Sequence, residues 1–131
     1  MKRRLARIKA VQSLFQVDMS GTDKEEAISN VLEDNEQKDL FLDKLVSGTL
    51  EHLEEIDQIF IGNLQNWKIE RVGNVDRSVI RMAIFEMKYL EDIPVNVSLN
   101  EAVDVAKSFG GEESGRFVNG VLSKIAETLK V

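Results

Sequence analysis

Cysteine is absent from the 131 residues, and histidine occurs once, at His52. The first absence excludes disulfides, thiolate nucleophiles and cysteine-based zinc sites; the second excludes a histidine-rich metal centre. No window approaches the roughly 20 apolar residues of a membrane span. The basic start runs into Ile8-Lys9-Ala10-Val11-Gln12 rather than a secretory apolar segment, so a cytoplasmic protein without membrane association is expected. No phosphate loop occurs, because Gly62, Gly73 and Gly110-Gly111 lack the spacing and the lysine of a Walker site. The adjacent acids Glu54-Glu55 and Glu112-Glu113 point in different directions on helices and make no catalytic dyad. Neither a cofactor nor a catalytic residue is expected.

What is present is helical periodicity. Apolar residues make up 43% of the chain, enough for one sizeable core and too little for two full domains, so residues 1–131 form one expected domain. They recur at three- and four-residue intervals with almost no alternation of period two, which predicts an all-α fold. Leu5, Ile8, Val11, Phe15 and Met19 share one side of a first helix, ended by Ser20-Gly21. Thr22 with Glu25 has capping-box spacing and opens a short second helix to about Asp34. Leu40, Phe41, Leu45, Leu53, Ile56 and Phe60 predict one long helix from about Glu36 to Leu64, with Gly48 as a weak point or close-packing site, and Trp67 follows in a polar break. A helix from Asp76 to Leu90 is stopped by Asp92-Ile93-Pro94. Ser98 with Glu101 forms a second capping box, for a helix reaching Phe109 and ending at Gly110-Gly111, and a last helix covers roughly Glu113 to Lys130.

Charge is strongly polarised along this chain. Lys2, Arg3, Arg4, Arg7 and Lys9 stand among the first nine residues, while residues 10–131 carry 12 basic and 23 acidic side chains, a net of −11. An acidic body with one basic end offers nucleic acid only a local contact. On a helical wheel Arg3, Arg4 and Arg7 share an arc of about 100°. That arc overlaps the apolar side continued by Val11 and Leu14, so the first turn or two should project beyond the core. Guanidinium groups fork onto phosphates and stack on unpaired bases, which makes a projecting arginine-rich start an RNA ligand; a frayed, solubilising terminus is the competing reading. Five phosphate contacts would give a salt slope of about −3.5, a roughly hundredfold loss of affinity between 50 and 200 mM salt.

Two further side chains stand out. Phe117 lies nearly 90° from the centre of the stripe made by Val118, Val121, Leu122, Ile125 and Leu129; half exposed beside Arg116, it is either a stacking platform for a base or a peripheral core residue. Glu86 falls among Val79, Met82, Ala83 and Leu90 on a helix that is apolar nearly all round. An unpaired carboxylate there is costly, so either it pairs with a buried arginine or polar group, or a partner covers this face. Arg77 and Arg81 either pair with acids or extend the basic surface.

Four segments together resemble the NusB family of bacterial transcription antitermination factors: Arg3-Arg4-Leu5-Ala6-Arg7 with Ala10-Val11-Gln12-Ser13-Leu14-Phe15; Val79-Ile80-Arg81-Met82-Ala83-Ile84-Phe85-Glu86; Pro94 through Phe109, with its Asn100-Glu101-Ala102 and Lys107-Ser108-Phe109; and Phe117-Val118-Asn119-Gly120-Val121-Leu122. The resemblance spans the chain. It implies six to seven helices in two packed bundles forming one domain, no catalysis, and a pair with the small-subunit ribosomal protein NusE that binds the boxA element of nascent RNA. That pair acts on elongating RNA polymerase through other Nus factors, chiefly over ribosomal RNA operons. The RNA surface it implies comprises Lys2, Arg3, Arg4, Arg7, Phe15, where the family often has tyrosine, Arg81, and the stretch Glu113, Ser114, Arg116 and Phe117. Met82, Phe85, Glu86 and Tyr89 are the implied NusE-facing residues. A homodimer of the free protein is left open. The same helical domain occurs fused ahead of a ribosomal RNA cytosine methyltransferase, and with no cofactor-binding domain after it this chain is expected to be the stand-alone factor. The alternative is a helical interaction module or homo-oligomer that does not bind RNA.

Overall fold

The computed structural model describes residues 1–65 and 68–129. Trp67 and Lys130, placed above in a break and at a helix end, lie outside the described residues. Within them six α-helices follow one another: α1 (Arg3–Ser20), α2 (Lys24–Val31), α3 (Leu40–Glu51), α4 (Leu53–Gly62), α5 (Asn74–Tyr89) and α6 (Val95–Leu129), with a single 3₁₀ turn at Ile69–Arg71 before α5. No strand occurs among the described residues, and the predicted all-α fold stands.

α5 is the shared spine. Val79, Ile80, Met82, Ala83, Ile84 and Phe85 are all buried, because α1 and α3 pack on it from one half of the molecule and α4 and α6 from the other. This accounts for a helix apolar nearly all round, since two bundles, α1–α3 and α4–α6, use it as a common wall.

Several predicted boundaries are corrected. The long helix over Glu36 to Leu64 is two helices. α3 starts only at Leu40, where the Asp39 side chain accepts the Leu42 N–H at 2.9 Å, and His52 leaves helical geometry at φ −107° and ψ 20° while its ring stacks on Tyr89, centroids 4.1 Å apart. Breaking there lets both halves lie on α5. Gly48 is the close-packing site, since a Cβ on it would meet the Phe85 ring at 2.1 Å. The Thr22–Glu25 capping box does not form: α2 starts at Lys24 after Asp23, with no side-chain cap bond, and ends at Val31. The Ser98–Glu101 box is likewise absent. α6 already begins at Val95, with the Pro94 carbonyl accepting the Ser98 N–H at 3.2 Å, and both side chains are engaged elsewhere. The break expected between the two C-terminal helices stands: α6 is kinked at Gly111, whose φ of 75° and ψ of −164° leave helical geometry and are tolerated by glycine. α1 ends as predicted, with Gly21 left-handed at φ 64° and its N–H on the Val17 carbonyl.

Candidate nucleic-acid interface

The basic start of α1 divides into two parts. Lys2, Arg3, Arg4 and Leu5 are exposed, whereas Arg7 and Lys9 are buried. The expectation that Arg7 projects with its neighbours is therefore corrected. Its guanidinium is only 3% exposed and lies on Glu86, itself fully buried, with Nη2 to Oε1 at 2.9 Å and Nε to Oε2 at 3.0 Å. The Ser98 hydroxyl donates to the same Glu86 Oε1 at 3.0 Å, and Arg7 Nη1 reaches Glu101 at 3.3 Å. Charge on the apolar side of α1 is thus neutralised from α5 and α6 rather than lifted off the body. Lys9 is held in the same way by Glu36.

Arg4, one turn earlier, stays at the surface but is bridged to α6, with Nη2 at 2.5 Å from Glu101 and 2.9 Å from Asp104. The hydrogen bond to Glu101 raises the Arg4 pKa above its ordinary value, and the same bond holds the Glu101 carboxyl below the usual range. Arg3, exposed, lies over the Phe41 ring, 4.5 Å from its centroid, a cation–π contact. Nothing local to α1 signals these acids or Phe41, because they approach from α6 and α3.

Phe15 is half buried further along α1 and lines a cleft of about 510 Å³ with Gln12, Gln16, Asn30, Val75 and Phe109. A second cleft, of about 250 Å³, lies between the start of α5 and the break in α6, where Glu113, Ser114 and Phe117 meet Arg71, Gly73, Asp76 and Gly110. Val75 and Phe109 of the first cleft are chain neighbours of Asp76 and Gly110 of the second, so the two adjoin. Burial pushes the Asp76 carboxyl up, and its hydrogen bond with Ser114 opposes the shift. Phe117 is half buried, as its place on the wheel predicted, and Arg116 beside it is exposed. A cleft of about 210 Å³ on the other side of Phe117 is lined by Arg116, Gly120 and Lys124.

The remaining expected residues stand apart from this path. Arg81 is clamped by Asp57, at 2.8 and 2.9 Å, and by Asp18 at 3.3 Å, and Arg77 by Asp18 at 2.7 Å; both arginines tie helices together rather than widening the basic surface. Met82, Phe85 and Glu86 are buried beneath the chain's own helices, so as a surface quartet with Tyr89 they are corrected. Only Tyr89 is half exposed, its ring in a stack with His52 and Phe85 and its hydroxyl donating to Glu55 at 2.6 Å.

The arrangement offers phosphates a short cationic helix start and offers bases half-exposed aromatic rings in adjoining clefts. Comparison with known proteins agrees with this architecture. The NusB family pattern matches residues 4–127. The chain is 52% identical over 130 residues to the transcription antitermination protein NusB of Halalkalibacterium halodurans, covering 99% of this chain and 97% of the relative. It is 54% identical over 125 residues to that of an Exiguobacterium species, covering 95% and 97%. Among solved structures, T. maritima NusB superposes with a TM-score of 0.87 at 34% identity, covering 97% of this chain and 92% of that one. A complex of the antitermination factors NusB and NusE with double-stranded RNA contains a chain that superposes with a TM-score of 0.86 at 33% identity, covering 96% of each. The chain belongs to the NusB family.

Proposed function

We propose that this protein is a non-enzymatic transcription antitermination factor that pairs with NusE and binds boxA RNA of nascent transcripts in the cytoplasm. The observation that carries the reading is the exposed cationic start of α1, Lys2, Arg3 and Arg4, on a body whose net charge is otherwise strongly negative. RNA meets this end first and continues along Phe15 toward Ser114, Arg116 and Phe117. Arg7 contributes by holding the helix start in place rather than by touching phosphate. On the partner side, Tyr89 provides contact, while Met82, Phe85 and Glu86 support the helix beneath it.

The burial of Arg7 and Lys9 changes the expected electrostatics. With three α1 phosphate contacts rather than five, the salt slope on single-stranded RNA is about −2, a roughly twentyfold loss of affinity between 50 and 200 mM salt. The test is a titration of boxA RNA in the presence of NusE across that range. Arg3→Ala is expected to weaken binding and flatten the slope by about 0.7. Salt-independent affinity, unchanged by Lys2→Ala and Arg3→Ala together, would refute the RNA reading in favour of a helical interaction module.

A further inference from the structure

α6 sets more negative charge against the start of α1 than the fold needs. Two guanidinium groups, Arg4 and Arg7, face three carboxylates, Glu86, Glu101 and Asp104. Arg7 lies on Glu86 through both Nε and Nη2, and Arg4 lies on Glu101, so the two cations are already matched without Asp104. Arg4, at 2.9 Å, is the one hydrogen-bond partner of the Asp104 side chain among the described residues, and that side chain is 46% exposed. An exposed ion pair of this kind adds little stability. Part of that little is offset by Glu101, a like charge one turn away on the same helix.

The geometry shows what the surplus acid does to Arg4. Glu101 lies along the side of the guanidinium, with Nε 3.4 Å from Oε1 and Nη2 2.5 Å from Oε2. This uses one of the two Nη2 hydrogens, and Asp104 takes the other, the one turned toward Nη1. A phosphate can fork onto a guanidinium along its Nε–Nη2 side or across its Nη1–Nη2 end. Glu101 fills the side, and Asp104 takes half of the end. Arg4 is therefore 54% exposed and yet offers phosphate neither fork intact.

The two acids differ in how readily they can leave. Glu101 is half-buried and also accepts from Arg7 at 3.3 Å, so releasing it would disturb a buried charge. Asp104 stands at the surface, has no second partner to lose, and regains water as it swings away. Exchange of carboxylate for phosphate at Arg4 thus takes place at the Asp104 position.

We infer that Asp104 is an intramolecular competitor of RNA phosphate, a residue that caps Arg4 in the free protein and sets how tightly the α1 start holds a strand; this rests on the RNA reading above. A polyanion that meets Arg4 alone exchanges one ion pair for another and gains almost nothing. Only a strand anchored at further points stays bound once Asp104 has been displaced.

The test titrates boxA RNA against the full-length protein with NusE. Asp104→Asn keeps the shape and a carbonyl oxygen for Nη2, and it removes the charge that competes with phosphate. Affinity is expected to rise about two- to fivefold, the upper part of the range for an exposed ion pair. A merely structural acid would weaken binding when replaced, not tighten it. The gain should vanish in Arg4→Ala protein, which has no guanidinium to compete for, and Arg4→Ala should cost more affinity beside Asn at position 104 than beside the native acid. No gain, or a loss, from Asp104→Asn would overturn the inference. An equal gain with and without Arg4 would also overturn it, since that result reports only the lower negative charge of the body. In either case a retained loss on Arg3→Ala leaves the RNA reading standing, whereas affinity unchanged by Lys2→Ala and Arg3→Ala together refutes both.

Discussion

Replacing Glu86 with leucine separates a structural acid from a partner-binding one. Glu86 is fully buried and accepts bonds from Arg7 and Ser98, while Arg7 is 3% exposed. The substitution leaves the guanidinium enclosed with the longer 3.3 Å contact to Glu101 and the Phe41 ring, 5.3 Å away at its centroid. Removing one member of such a pair costs about 3–5 kcal/mol, because the stranded charge cannot regain its hydration. An unfolding entropy of about 2.1 cal/mol/K per residue, taken over 131 residues, converts each kcal/mol to roughly 3–4 °C. Glu86→Leu should therefore lower Tm by roughly 10–18 °C, read by circular dichroism, with a matching fall in urea midpoint. The double variant Arg7→Met with Glu86→Leu removes both charges and should melt above the single one, since an apolar pair of similar volume replaces the ion pair without stranding either charge. A Glu86→Leu protein that melts within about 3 °C of the parent while losing NusE affinity would refute the argument, and would return Glu86 to the role of an interface acid.

Three other outcomes follow from the packing and the ionisable groups. Gly48→Ala drives a methyl into the Phe85 ring and should cost about 1–3 kcal/mol in chemical denaturation, the range for overpacking a filled core; a neutral result would mean that α3 and α5 can separate freely. Tyr89 is the only tyrosine, and its hydrogen bond to Glu55 pushes its hydroxyl up to about 12. Ultraviolet titration should find no phenolate near pH 10, and Glu55→Gln should bring the transition down toward that ordinary value. Glu101 is held below the usual range by its bond from Arg4, and Glu36 by the Glu33 backbone N–H and then Lys9. Depressed carboxylates give stability that is complete above their unfolded pKa of about 4.5 and is lost as pH falls through the folded values. Tm should thus be flat from pH 7 to 5 and fall below about pH 4.5, and a fall already evident between pH 7 and 6 would place the cause elsewhere.

Helix content was legible because it rests on periodicity, which is local. α5 lies within two residues of its predicted ends, and Gly21 terminates α1 where expected through its own left-handed geometry. Capping boxes failed as signals where tertiary contacts compete for the same side chains. Ser98 has capping spacing to Glu101, yet its hydroxyl serves the buried Glu86, and Glu101 serves Arg4 and Arg7. The break at His52 had no local signal either, since it coincides with stacking on a ring 37 residues away on α5. For the candidate site, the wheel drew attention to the start of α1 and the half-exposed place of Phe117, and it raised the buried-arginine option for Glu86. It could not name Arg7 as that arginine, because the partners lie 79 residues apart.

The pairing of Arg7 with Glu86 also changes what the basic segment is for. Of its five cations, Arg7 and Lys9 are spent inside the fold and Arg4 is shared with Glu101 and Asp104, so Lys2 and Arg3 alone have no carboxylate partner among the described residues. Two or three surface charges attract phosphate but cannot hold a strand against a body of net −11. In the proposed RNA reading, affinity comes from contacts that salt does not screen, at the aromatic clefts beside Phe15 and Phe117, and from cations that a second protein brings to the same strand. The internal pairs serve that arrangement. By fixing α1 to α5 and α6 they hold Arg4 and Phe15 on one rigid helix at a constant separation, which is the preorganisation that the proposed RNA surface requires.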